Sequence, residues 1–220
     1  MNPKIGSQRP PAPLRWGPSP ASVKIGGKST GVAWYHVIPF SLLRTVWNQL
    51  VDQQINTQLP EARVAIRQYL VLADARLQNV DALVDRIRAE NTTQRRAGHN
   101  NLQPLTVVEA DQLASVAAWP AWDVVEGPTP RSDDPGDQLD RFTVGLLPAE
   151  IAQMKALEHL FSAFKQFANA GPGSGASGLS TLSHELAIER SNVARELPIR
   201  LRAEMWVEDG TKWRKNRSAD

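Results

Sequence analysis

Apolar and polar positions alternate between two periods along this chain. Residues 31–38, Gly-Val-Ala-Trp-Tyr-His-Val-Ile, are β-branched and aromatic and end at Pro39, which predicts a strand. A helix follows over 41–58. From Pro60 and Glu61 the apolar positions Ala62, Ile66, Tyr69, Ala73, Leu77, Val80, Val84 and Ile87 step by three or four. That spacing predicts one long helix, closed by Gly98 and folded against its predecessor as an antiparallel hairpin. Residues 102–106 suit a short strand. Residues 107–118 read as a helix with Glu109 and Asp111 in its first turn, where the helix dipole favours acids.

Residues 119–146 hold Pro120, Gly127, Pro128, Pro130, Pro135 and Gly136 and read as a long loop. Residues 148–168 form an amphipathic helix whose stripe is Ile151, Met154, Leu157, Phe161, Phe164 and Phe167. A Gly/Ser-rich loop (171–178) and two shorter helices separated near Pro198 complete the pattern. The fold class is therefore α+β and predominantly helical. Residues 1–30 are read as a Pro-rich basic arm, 31–206 as a single domain and 207–220 as a basic tail.

Composition narrows the chemistry. The chain has 220 residues, 41% of them hydrophobic, and no cysteine, so a metal could be held only by His, Asp, Glu or Asn. No apolar run approaches the ~18 residues of a membrane span, and residues 1–6 lack the apolar stretch of a secretory signal. The expectation is a protein that is cytoplasmic or delivered to a target cell, with no membrane partner. The net charge is only +2, but Lys4, Arg9, Arg15, Lys24 and Lys28 stand among the first 28 residues without an acid, and Lys212, Arg214, Lys215 and Arg217 crowd the end. Such ends suit a polyanion or are simply solvated. Acids gather in 126–140, which reads as a solvated loop. Trp16 within the Pro-rich 9–20 segment suggests docking.

Two strings carry the functional reading: Tyr35-His36-Val37-Ile38-Pro39 and Asn101-Leu102-Gln103-Pro104-Leu105. Together, in this order, they resemble the two halves of the HNH, or ββα-metal, endonuclease core. The resemblance covers about a dozen residues. It implies a core within 31–118, with a strand ending at His36, a second strand near Leu102, a following helix, and the hairpin as an insertion between them. It implies His36 as general base, Asn101 as the residue orienting it, and Glu109, Asp111 or His99 as ligands of a divalent metal, Mg or Mn. Lys28, and Arg44 on the first helix, are candidate phosphate contacts. The sequence departs from the family pattern at Tyr35, where the family has a metal-binding Asp or His, at Ala110, where it has a helix His, and in the long separation of the two strings.

Each residue also has a plainer reading. His36 suits a hydrogen-bonded core histidine, Asn101 and His99 a turn, and Glu109 and Asp111 helix-start charges. Gly26-Gly27-Lys28-Ser29-Thr30 is similar to the end of a phosphate-binding loop, but Ser22 stands where its first glycine is required. Asp133, Asp134 and Asp137 lack the spacing of a calcium loop. His159 and His184 read as surface residues. Trp34, Trp47, Trp119 and Trp122 suit either base stacking or the core. The expected function is a metal-dependent endonuclease cleaving DNA, similar to bacterial toxin or effector domains, with an immunity protein as a second partner. The alternative is a non-enzymatic helical interaction or assembly protein with a relic ββα core.

Overall fold

The computed structural model describes residues 2–12, 22–57, 59–91, 98, 102–133, 138–193 and 198–217. Strands β1 (Ser22–Ile25) and β2 (Lys28–His36) form a hairpin. Gly26 and Gly27 take φ of +55° and +83°, as a two-residue hairpin turn requires, which is why glycines precede Lys28. β2 then pairs antiparallel with β3 (Val124–Thr129), from Gly31 opposite Thr129 to His36 opposite Val124. Pro128 is tolerated because β3 is the last strand of the three-stranded sheet. Gly127 is needed there: a Cβ would stand 2.5 Å from Cζ2 of Trp206.

The partner of β2 corrects the sequence expectation. Residues 102–106 form no strand. The Arg86 guanidinium takes the carbonyls of Gln103 (3.1 Å) and Pro104 (2.8 Å), so this stretch is pinned to a helix instead. The second strand lies inside the segment read as a loop. Among the described residues six α-helices, with the short 3₁₀ turns, account for 55%, so the chain is α+β and predominantly helical. They are α1 (Phe40–Asn56), α2 (Pro60–Ala73), α3 (Val80–Ile87), α4 (Val107–Ala118), α5 (Pro148–Ala170) and α6 (Gly175–Ile188). The long helix expected from Pro60 is broken. Asp74 turns its carboxylate to the Arg76 N–H (3.0 Å), a local bond that competes with the helix, and Asn79 adopts φ +55°. α3 folds back on α2 through the two-bond Arg63–Asp85 pair (2.5 and 3.1 Å). Gly175 begins α6, so much of the expected 171–178 loop is helical.

The reading of the acidic 126–140 segment as a solvated loop is also corrected for its described residues, and residues 206–215 are folded. β4 (Trp206–Asp209) and β5 (Lys212–Lys215) form a second hairpin. It docks through backbone bonds between Trp213 and Pro130 (3.0 Å) and between Ser132 and Trp213 (2.9 Å). Arg131, Asp140 and Lys215 have fully buried side chains. Asp140 pairs with both cations, Arg131 at 2.9 Å. Arg131 also bonds Asp133 and lies over the Tyr35 ring at 4.4 Å. The described acids of the segment, Glu126, Asp133 and Asp140, are thus bonded within the fold rather than solvated; Asp134 and Asp137 lie outside the described residues.

The helical core centres on Trp47, Tyr69, Phe164 and Trp122, each wholly buried. Trp47 and Tyr69 stand 5.6 Å apart, Tyr69 and Phe164 5.9 Å, and Trp122 and Phe164 6.4 Å, within the range of favourable ring pairs. Tyr69 satisfies its hydroxyl on the Ala117 carbonyl (2.9 Å), and burial pushes its ionisation upward. Because Phe164 bridges α2 to the segment carrying Trp122, Phe164→Ala should cost about 3–5 kcal/mol in urea unfolding followed by circular dichroism.

Candidate functional site around His36

β2 ends at His36 because Pro39 starts α1 three residues later. The strand delivers the imidazole to the point where β3 begins. There Nδ1 of His36 meets Oδ2 of Asp123 at 2.8 Å. The same carboxylate accepts the Ile38 N–H at 2.5 Å, and the Val37 N–H goes to the Asp123 carbonyl at 2.7 Å. Asp123 therefore holds three consecutive residues of the strand exit. The Asp140 N–H donates to Val37 O at 3.0 Å, which ties the Arg131–Asp140–Lys215 group to this exit.

The imidazole is sandwiched as well as hydrogen-bonded. Its ring stacks on Trp119 with centroids 4.7 Å apart and tilts against Phe40 at 6.0 Å. Arg9 lies over both rings, 4.9 Å from the Phe40 centroid and 5.2 Å from Trp119. Nε2 is buried and has no hydrogen-bond partner among the described residues. Burial, with the Arg9 charge added, holds the His36 pKa well below its ordinary value. Burial pushes the Asp123 carboxyl up, against the opposing pull of the Ile38 N–H, Arg9 and Lys215. Burial thus disfavours the charged form of both groups, and Nε2 is the ring nitrogen left without a partner among the described residues. Lys215, behind Asp123, is drawn down to about 8, chiefly by burial.

The other expected site residues lie elsewhere. Glu109 stands 10 residues before Trp119, the residue that caps the C-terminus of α4, about 15 Å along the axis at 1.5 Å per residue, and Asp111 about 12 Å. Glu109 is held by Arg86 in two bonds (2.5 and 2.7 Å) and closes a capping box with Thr106. Arg86 lowers its pKa to about 2. His99 and Asn101 fall outside the described residues. Lys28 pairs with Glu208 at the far end of β2, and Arg44 is half-buried on α1. His159 is exposed and bonded to Glu189 at 2.8 Å, which raises its pKa.

Of the three donors named for a divalent ion, Glu109 and Asp111 lie among the described residues and His99 does not. Glu109 has both oxygens committed, and among the described residues no three of His, Asp and Glu cluster as a metal would require. Reading the sequence missed Asp123, the partner that meets His36. Its only local signal is an acid placed just before Val124-Val125, and nothing in that pattern announces pairing with a strand 87 residues earlier. The arm residue Arg9 gave no signal beyond its charge.

Comparison of the chain with protein-family models, with curated proteins and with solved structures gives no match. Among the described residues no helix is long and apolar enough to cross a membrane.

The two histidines should titrate on opposite sides of the ordinary value near 6.5. In ¹H–¹⁵N spectra of the imidazoles, His36 should remain neutral well below that pH while His159 is already protonated above it. Titration of His36 at the ordinary value would show that the pocket is wet.

Proposed function

We propose that this chain is a nucleic-acid hydrolase in which His36 is the general base and Asp123 the residue that orients it. The observation that supports this reading is the 2.8 Å contact between Nδ1 of His36 and Asp123 at the junction of two paired strands. In the resembled family an asparagine orients the base. Here the acid opening β3 takes that place in the reading, and Asn101 is not required for it. This reading takes Nδ1–H as the donor to an ionised Asp123, which leaves the lone pair on Nε2. A water donating its proton to Nε2 becomes the nucleophile. Its oxygen bonds to phosphorus, the bond from phosphorus to the 3′ oxygen of DNA breaks, and solvent supplies the proton to the leaving oxygen. Glu109 has no part in this step, since both of its oxygens are bonded to Arg86.

Supercoiled plasmid should be nicked by the wild-type chain. His36→Ala and Asp123→Ala should lower the rate by about 10²–10⁴-fold, the usual contribution of a positioned base. Glu109→Gln should leave the rate unchanged in Mg²⁺, in Mn²⁺ and in chelator. Equal cutting by wild type and His36→Ala would overturn the assignment.

A second reading, a non-enzymatic interaction protein, is favoured by one surface. Leu102, Val107 and Val108 are exposed together at the start of α4, Val108 by 76%. Exposed apolar side chains of this kind mark contact surfaces. Val108→Asp should dissociate an assembly, read as a fall in mass by light scattering, and should leave cleavage untouched.

A further inference from the structure

The segment 2–12 crosses the His36 pocket without joining the fold's backbone network. Its anchors are the Lys4–Asp52 ion pair (2.5 Å), the buried Ile5 and side chains of the body that reach out to it. Trp47 Nε1 donates to Pro3 O at 2.7 Å, and Asn48 brackets Ile5, accepting its N–H at 2.8 Å and donating to its carbonyl at 2.9 Å. Trp119 Nε1 donates to Pro10 O at 2.6 Å. Among the described residues no backbone–backbone hydrogen bond links 2–12 to the rest of the chain, in contrast to the β4–β5 hairpin. Only Pro3 and Ile5 are buried, and residues 6–9 are exposed. Between Lys4, Gln8 and Pro11 of the segment and Asp111, Ala114 and Ser115 of α4 lies a cleft of about 460 Å³, so the segment does not pack flush. Yet Trp119, which holds Pro10, is the ring stacked on His36, and Arg9 caps both rings that flank it.

We propose that residues 2–12 are a strap that seals His36 from water and substrate and peels away as a unit to open the site. The geometry has the two properties a strap needs. It is closed at the rings around a buried Nε2, and it is held by a few side-chain bonds, one partly exposed ion pair and one buried apolar side chain, Ile5, with no backbone ladder among the described residues. Segments of this kind open locally at far lower free energy than the core. Closure also adds the positive charge of Arg9 beside the imidazole, so release removes a charge as well as a cover. The link to activity rests on the nuclease reading. The sealing of His36 does not.

Carbethoxylation of histidine by diethyl pyrocarbonate, mapped by mass spectrometry, reads the seal directly, with exposed His159 as internal reference. In the full-length wild type, His36 should react far more slowly than His159. Arg9→Ala/Asn48→Ala should raise the His36 rate about tenfold or more with an unchanged circular dichroism melt. Should the double variant fail to fold, Arg9→Ala alone, altering an exposed residue, should still raise it severalfold. Protection of His36 equal to wild type in the folded variants overturns the strap, as does a wild-type His36 as reactive as His159. Plasmid nicking by the same variants separates the two proposals. Faster modification with faster nicking supports both. Faster modification with no nicking in any variant keeps the strap and ends the nuclease reading.

Discussion

The placement of Asp123 is the constraint on which the site depends. A carboxyl group with no solvent contact is costly unless its oxygens are bonded. Asp123 meets that demand with the His36 ring and the Ile38 N–H, both supplied by the exit of β2. That exit cannot move without stranding the acid, and the acid cannot move because β3 starts at the next residue. One local requirement therefore sets where β2 stops, where α1 starts, and the face the imidazole presents.

The charges behind this pair are arranged by the same logic. Arg131 and Asp140 lie nine residues apart, Lys215 comes from 75 residues further on, and none has exposed side-chain surface. Their burial is made tolerable by mutual pairing, by Asp133, and by the ring faces of Tyr35, Trp206 and Phe142. Removing one member of such a set leaves an uncompensated charge, so the set specifies a single arrangement of the β4–β5 hairpin against β3. The hairpin is in this sense part of the site's frame, although none of its residues touches His36 through a bond described above.

The hydrophobic cluster completes the frame from the other side. Tyr69, Phe164 and Trp122 join α2, α5 and the short turn that carries Asp123, and Gln153 of α5 donates to the Trp122 carbonyl at 2.6 Å. The acid is held between an aromatic core and a buried ionic group. The face toward Phe40 and Trp119 is covered by Arg9 of segment 2–12.

Local pattern in the sequence determined the strand ending near His36, the helix over 107–118 with its acidic first turn, the long helix from Pro148 and the predominantly helical α+β class. These depend on contacts within a few residues, such as the Thr106–Glu109 capping box. Tertiary structure alone decided the rest. β3 carries Gly127 and Pro128, which read locally as a loop, and becomes a strand because β2 offers it a ladder. The 60–87 stripe breaks at Asp74 because that side chain prefers its own backbone. Lys215 reads as a tail charge and is buried because Asp140 waits for it. The partner of His36 was legible in neither short string, since hydrogen bonds between distant strands are set by register, and register leaves no mark on spacing along the chain.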